Sequence, residues 1–427
     1  MTCSELEKVP LELLEVESDL KRDTEVNLPN ASDSFPEGGW GWLVVASSFL
    51  IHFIVLGIQY TFGIYQQHYT AVVFPGVKES EVSLIGTLGS SIMFIFGIVA
   101  GRLADSYGFK KVQFTGNIVL CGGLIAASFA SQVWHLYLSQ GVLYGLGGSL
   151  CFFPAVSIPS QWFAKRRGLA TGIAVSGGGI GGLVLAPITR SLIAKFGFRW
   201  SLRILGLSGF ILLSLASVLL KTRIQNNSRS PIIDLSLFNS PKFSILFLIG
   251  MIVSFGYLVP FFFLPNYVLY SGLSIEIGSL LLGLLNGSSA LGRVMLGYIA
   301  DGIGRVNSLF MSLFIGTLSI FLLWSLSSGF ISLLIFVLLY GFTAGGFVSL
   351  FPVVASEVHG AEKLATVAGF LYVSIGFGSL VGIPIAGAIL DASRHLEHFT
   401  YLPIILYSGF MMLLGSILAG ILKFVKS

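Results

Sequence analysis

Charge is what this sequence has least of. Only 10% of its 427 residues are Asp, Glu, Lys or Arg, while 54% are hydrophobic and the mean hydropathy is +0.88. A soluble chain carries about 25% charged residues. So few charges cannot cover a water-facing surface, so lipid must be most of this chain's solvent. Histidine is scarce as well, with six residues, and no HExxH occurs, so zinc-hydrolase chemistry has no ligand set. Of the six, His52 alone lies clearly within an apolar run, which leaves an intramembrane enzyme short of a base. The three cysteines, Cys3, Cys121 and Cys151, lack metal-ligand spacing, and the last two read as buried thiols. No metal, cofactor or enzymatic activity is expected. No G-x-x-x-x-G-K-[ST] loop is present, so ATP does not drive the protein directly. The net charge is +4, and its basic residues sit in short loops without interleaved aromatics, which argues against nucleic acid. Gly177-x-Gly179-x-x-Gly182 matches a dinucleotide fingerprint by letter only, since no strand precedes it and it lies inside an apolar run.

Long apolar runs are what the sequence does have. Twelve can be marked, near 40–66, 82–104, 112–131, 136–161, 168–194, 200–220, 243–269, 277–299, 307–327, 331–355, 364–390 and 401–422. Each approaches the ~20 residues a helix needs to cross a bilayer. The runs are too long and too uniformly apolar for barrel strands, so an all-α membrane protein is expected. The 52 glycines suit helices that approach one another closely. Residues 1–36 are polar and acid-rich and read as a disordered cytosolic tail rather than a secretory signal. The polar stretch 222–242 reads as a cytosolic linker between a half at 37–221 and a half at 243–427. Its sequon at Asn226 would then carry no glycan. Lys and Arg divide roughly 14 to 5 between the two sets of loops. The richer set includes Lys110, Lys111, Lys165, Arg166 and Arg167, and should face the cytosol with both termini.

A short charged motif recurs. Residues 101–111 read GRLADSYGFKK, and about 196 residues later 297–305 read GYIADGIGR. Tyr144-Gly145 and Tyr340-Gly341, the LAT at 169–171 and at 364–366, and Pro187-Ile188 and Pro384-Ile385 repeat at about the same period. One period shared by several pairs is the mark of a duplicated bundle. In each copy glycines permit tight turns, and Asp105 can accept from a helix N-terminus or pair with an arginine. The motif resembles the loop between the second and third helices of major facilitator transporters, with its echo between the eighth and ninth. That resemblance implies a twelve-transmembrane-helix major facilitator fold of two six-helix pseudo-repeat halves. It also implies a gating role for Gly101, Asp105, Gly108, Lys110, Asp301 and Arg305.

Three further stretches narrow the resemblance. They are PEGGWGW at 36–42, WFAKRRGLATGIAVSGGGIGG at 162–182 and FGFRW at 196–200. Together they resemble the monocarboxylate transporter family, over essentially residues 36–423. YTFGIYQQHY at 60–69 and NGSSALGR at 286–293 are more similar to its fungal branch. Animal members have an Arg in the eighth span, an Asp four residues earlier and a Lys in the first span. Here the Arg is Arg293, the Asp position is Ser289, and the Lys position is about Tyr60. Two of the groups tied to proton-coupled lactate transport are therefore absent.

Polar residues inside spans are the candidates for binding. Arg293 sits mid-span, where a guanidinium must face a cavity, a carboxylate or backbone carbonyls; it can grip a substrate carboxylate with two parallel bonds or tie two helices together. His52, Gln59 and Gln66 are seven apart and share a helix face with ~20° of drift per heptad. Such a stripe lines a wet cavity or bonds to neighbouring helices, and His52 is the candidate proton site. Pro260 and Pro265 should break or kink the seventh span, which also holds Asn266 and Tyr267. The expected substrate site is Arg293, Tyr60, Gln59, His52, Ser289, Asn286, Asn266 and Tyr267.

The resemblance implies a secondary active transporter of a small organic solute, monocarboxylate-like or another organic anion, by alternating access, with protons as candidate coupling ion. A riboflavin or secondary-metabolite carrier on the same fold is the alternative, since fungal relatives include both. A non-transporting membrane sensor is the alternative from another class, and the short linker offers it no signalling extension. The expected partners are a small-molecule substrate and the lipid bilayer. The plasma membrane is the expected location ahead of the vacuolar membrane. Cysteines introduced at Lys78 and Arg394 should label with an impermeant reagent from outside, and cysteines at Lys110 and Asn226 should not; the reverse pattern would invert the orientation.

Overall fold

The computed structural model describes residues 38–163, 167–221, 235–327, 329–359, 364–394 and 399–424. The acid-rich tail, Lys165, Arg166 and most of the linker, including Asn226, lie outside the described residues. Every described element is helical. In lipid each backbone N–H and C=O must find a partner within its own segment, and helices supply that.

Twelve crossings follow in chain order. Span 1 is Trp40–Val73, and span 2 is the bent pair Glu79–Ile95 and Gly97–Ala104, which turns by 47°. Span 3 is Phe109–Ala127, made less apolar by Lys110 and Lys111 in its first turn. Span 4 is Val133–Ser157. Spans 5 and 6 are the two legs of Leu169–Leu219, which divide at Gly197. Span 7 is Pro241–Tyr270, span 8 Ile275–Ala300, span 9 Arg305–Trp324, span 10 Phe330–Phe351, span 11 Gly369–Ser393 and span 12 Leu402–Leu422. Two expectations need correction. The sequence suggested a gap between the fifth and sixth segments, but helix continues on both sides of Gly197, which alone leaves helical geometry with φ 78°. Of the two prolines in span 7, Pro260 sits at the start of a new helix after a break at Leu258, while helix runs through Pro265.

The duplication is visible in backbone angles. Span 1 breaks at Thr61 (φ −88°, ψ 0°) and span 7 at Leu258 (φ −87°, ψ −6°). Gly108 (φ 91°, ψ 140°) starts span 3, and Gly304 (φ 91°, ψ 141°) starts span 9. Both sites recur at the period of the sequence motif. Only glycine enters that positive-φ region without strain. Gly101 differs, because it lies inside the helix Gly97–Tyr107 and turns nothing.

Small residues let the helices touch. A Cβ on Gly177 or Gly181 would stand 2.2 Å from the Phe49 or Phe53 carbonyl oxygen of span 1. Span 8 packs likewise on span 10, where a Cβ on Gly345 would stand 2.1 Å from the Ser289 carbonyl oxygen. Between the halves, span 5 meets span 8: a Cβ on Gly179 would be 2.7 Å from the Ala290 methyl, and one on Gly283 would be 3.0 Å from the Leu183 carbonyl. Span 2 meets span 11, where a Cβ on Gly387 would be 2.7 Å from Ser80 Cα. Gly172 lies one heptad from Gly179 on the same face, yet nothing stands within 4 Å of its Cβ position. Spans 5 and 8 therefore touch at the Gly179 and Gly283 levels, and among the described residues no such contact is made at Gly172.

Gly108→Ala should cost about 1–2 kcal/mol, the penalty of a left-handed L-residue. Gly101→Ala should leave stability unchanged or raise it by up to ~1 kcal/mol through helix propensity. Melting of both variants in detergent checks this, and equal destabilisation would contradict it.

Candidate functional site

The two helix breaks converge on Arg293. Tyr60 is the last residue before the break in span 1, and Tyr257 the last before the break in span 7. Arg293 rises from span 8 between them and is 2% exposed. One terminal nitrogen donates to the Tyr60 hydroxyl at 2.9 Å, the other to the Val175 carbonyl of span 5 at 3.0 Å. The guanidinium carbon stands 5.7 Å from the Tyr60 ring centroid. The Tyr257 hydroxyl faces the same charge. Phe261 bridges the tyrosines, 5.5 Å from each ring. Among the described residues no carboxylate pairs with Arg293. A buried guanidinium held by one phenol and one carbonyl is positioned and left electrically uncompensated.

Several neighbours share that incompleteness. Arg293 Nε, Tyr257 OH, Ser289 Oγ, Asn286 Oδ1 and His52 Nε2 are all buried without a hydrogen-bond partner. Asn286, Ser289 and Arg293 lie at i, i+3 and i+7 on one face of span 8. His52 hydrogen-bonds the Ser48 carbonyl through Nδ1 at 2.6 Å, packs edge-on against Phe152, and lies within electrostatic reach of Arg293. An unmet buried polar group costs about 1–3 kcal/mol. Of these, Ser289 lies one helical turn from Arg293 and the Tyr257 hydroxyl faces it, so a polar ligand or water at the guanidinium would meet groups that lack partners.

The remaining expected binding residues lie elsewhere. Gln59 donates to the Gly86 carbonyl at 2.8 Å and holds span 1 to span 2. Gln66 and Asn266 both donate to Glu79 at one end of the bundle. Tyr267 meets the Ser327 hydroxyl at 2.7 Å and packs on Trp324 and Tyr401. The stripe thus serves three levels of the bundle, since residues seven apart stand about 10 Å apart along a helix and Gln66 lies beyond the break at Thr61. At the opposite end, Lys110 is exposed in the first turn of span 3, and Arg305 is half-buried at the start of span 9. The side chains of Asp105 and Asp301 lie outside the described residues. Tyr257 was missed by sequence reasoning. Its signal was available, since it stands one repeat period after Tyr60.

Twelve crossings in two pseudo-equivalent halves, with a buried cationic site between them, define a membrane transporter. Residues 41–383 match the profile of the Major Facilitator Superfamily. The chain belongs to that family. It is 32% identical over 384 residues to the MFS-type transporter pynF of Aspergillus niger, covering 89% of this chain and 86% of that one. It is 30% identical over 377 residues to the agnestins efflux protein AgnL12 of Paecilomyces divaricatus, covering 88% and 85%. Among solved structures, the nucleoside transporter NupG superposes with a TM-score of 0.70 at 16% identity, covering 90% of this chain and all of that one. An inward-facing, occupied bacterial homolog of the lysosomal transporter Spinster gives 0.71 at 14%, covering 90% and 97%.

Ser289→Asp would set a carboxylate one helical turn from Arg293 and supply the missing counter-charge. It should stabilise the fold by about 1–3 kcal/mol, the range of a charge-assisted bond. Thermal melting should rise accordingly, and a fall would mean that Arg293 is already compensated.

Proposed function

We propose that this transporter carries a small organic anion across the membrane by alternating access, with Arg293 as the group that grips it. The observation that carries this reading is the buried Arg293 without a carboxylate, ringed by polar atoms that lack partners. A guanidinium offers a planar fork that fits a carboxylate at two points. Tyr60, Tyr257 and Phe261 would flank the rest of the molecule with aromatic faces, which suits a flat or apolar body. Ser289 and Asn286 would take its remaining polar groups. The absence of the Asp and Lys of the animal monocarboxylate carriers favours a larger acid over lactate. Two relatives, AgnL12 and the aspyridones efflux protein apdF of Emericella nidulans, are named for the efflux of metabolites, which supports export of a secondary metabolite as the form this takes.

In the same reading the Gly108 and Gly304 ends face the cytosol, the halves comprise 37–221 and 243–427, and the Asp105 and Asp301 loops gate the cytosolic mouth. The chain resides in the plasma membrane. Protons are the candidate coupling ion in this reading.

Radiolabelled carboxylates of increasing ring size, tested in proteoliposomes with and without an imposed pH gradient, identify the substrate; equal rates in both conditions would remove protons from the cycle. Ligand-induced thermal shift then tests Arg293. Arg293→Lys keeps the charge but loses the fork, and should lose about 2–4 kcal/mol, roughly 30- to 1,000-fold in affinity. Arg293→Ala should bind worse still while remaining folded. Equal ligand shifts in wild type and both variants would end the binding role.

A further inference from the structure

The densest polar cluster outside the Arg293 site lies at the Glu79 end of the bundle. Asp391 of span 11 caps the start of span 2, accepting from Glu79 N at 3.0 Å, Ser80 N at 3.1 Å and the Ser80 hydroxyl at 2.9 Å. Arg394, just past the end of span 11, returns the contact by donating to Glu79 Oε1 at 3.0 Å. Asn266 of span 7 donates to the same oxygen at 3.1 Å, and Gln66 of span 1 to Oε2 at 3.3 Å. The Glu79 side chain is 2% exposed. Gln66, Glu79 and Ser80 belong to one half, and Asn266, Asp391 and Arg394 to the other.

A second acid–arginine contact crosses the halves at the same end. Glu276 in the first turn of span 8 faces Arg190 of span 5 at 3.9 Å. Glu276 stands one repeat period after Glu79, at the same turn of the equivalent helix. Span 5 is likewise the repeat equivalent of span 11. The duplication has therefore placed one acid–arginine contact on each side of the mouth, each joining the second helix of one half to the fifth of the other. They have diverged. The Glu79 carboxylate is enclosed, meets Arg394 at 3.0 Å and is backed by four more bonds across the halves, whereas Glu276 is 71% exposed and stands 3.9 Å from Arg190.

We propose that Glu79, Asp391 and Arg394 form the outer gate of the transporter, and that this bridge, not its Glu276–Arg190 counterpart, sets how long the outer mouth stays shut. The assignment rests on the alternating-access reading and on the orientation that places the Glu79 end outside. Apart from the Gln66–Glu79 bond, which lies within one half, these bonds span the two halves, so they exist only while the mouth is closed and weight the equilibrium toward that state alone. Opening would separate a helix cap and an ion pair at once. The Glu276–Arg190 contact contributes less, because at 3.9 Å it is longer than a hydrogen bond and water solvates its exposed carboxylate.

Ser83 lies one turn below Glu79 in span 2, is fully buried, and reports on this mouth. Gly172 in span 5 faces open space and reports on the opposite one. Full-length Ser83→Cys should label slowly with an impermeant maleimide from outside, read by mass spectrometry of that peptide. Adding Arg394→Ala or Asp391→Ala should speed labelling by about tenfold, the population shift expected when a state-specific pair is lost. Gly172→Cys in inside-out vesicles should slow in step. Glu276→Gln and Arg190→Ala should change either rate by less than about twofold. If Arg394→Ala fails to reach the membrane, Arg394→Gln and Glu79→Gln provide the same reading. The gate is overturned if Ser83→Cys labels as fast with the bridge intact as without it, or if the Glu276 and Arg190 variants match Arg394→Ala. If outer labelling rises while inner labelling does not fall, the gate stands and alternating access falls.

Discussion

A guanidinium in a bilayer has to be held by something, and this fold holds Arg293 without neutralising it. The burial of that one charge dictates much of the architecture. It demands a carbonyl from span 5 and a phenol from span 1 at hydrogen-bonding distance. That in turn demands that spans 1, 5 and 8 approach closely, which glycine makes possible at Gly177, Gly179 and Gly181. It also demands that Tyr60 point inward, and the break at Thr61 ends its helix at that point. A neighbouring carboxylate would have met the same electrostatic need more cheaply. The residue one turn before Arg293 is Ser289, and in the proposed reading the counter-charge is left for a ligand to bring.

The duplication explains why this centre lies between the halves rather than within one. Breaks in spans 1 and 7 occur at matching positions with nearly the same angles. Each delivers a tyrosine, and Arg293 of span 8 occupies the space between. The repeat is not copied faithfully. Span 2 bends at Phe96, whereas span 8, its equivalent, runs unbroken through the Arg293 level. Two halves that began alike thus contribute different groups to one centre, a phenol and a carbonyl from the first and the guanidinium from the second.

How much could be read beforehand depended on the kind of signal. Helices in lipid announce themselves by composition, so the number and order of the crossings were legible, and so was the loop glycine at 108, because a positive-φ turn tolerates little else. Arg293 was legible for the converse reason, as a charge is conspicuous in an apolar run. The stripe of His52, Gln59 and Gln66 was legible only in part, because a shared face does not bring residues two turns apart to one level, and Thr61 carries no sequence mark of the break that sets Gln66 apart. Asn266 and Tyr267 misled as well: their span borders the centre, but these two residues lie near its far end. Glu79 went unread because an acidic residue at the start of a helix is ordinary. What distinguishes it is burial against a helix some 312 residues away, which no local pattern encodes.

The exposure of the two acid–arginine contacts has a consequence for the surroundings of the cell. Dissolved ions screen charges over a Debye length of about 8 Å at physiological strength, but only where solvent reaches them. Each contact keeps one partner in that solvent, Glu276 at 71% and Arg394 at 48%, and the other largely out of it, Arg190 at 18% and Glu79 at 2%. The bonds that salt screens least are the ones that Asp391 accepts from backbone N–H groups and that Asn266 donates to Glu79. In the proposed gate, saline surroundings would weaken both ion pairs and leave those neutral-donor bonds to hold the mouth.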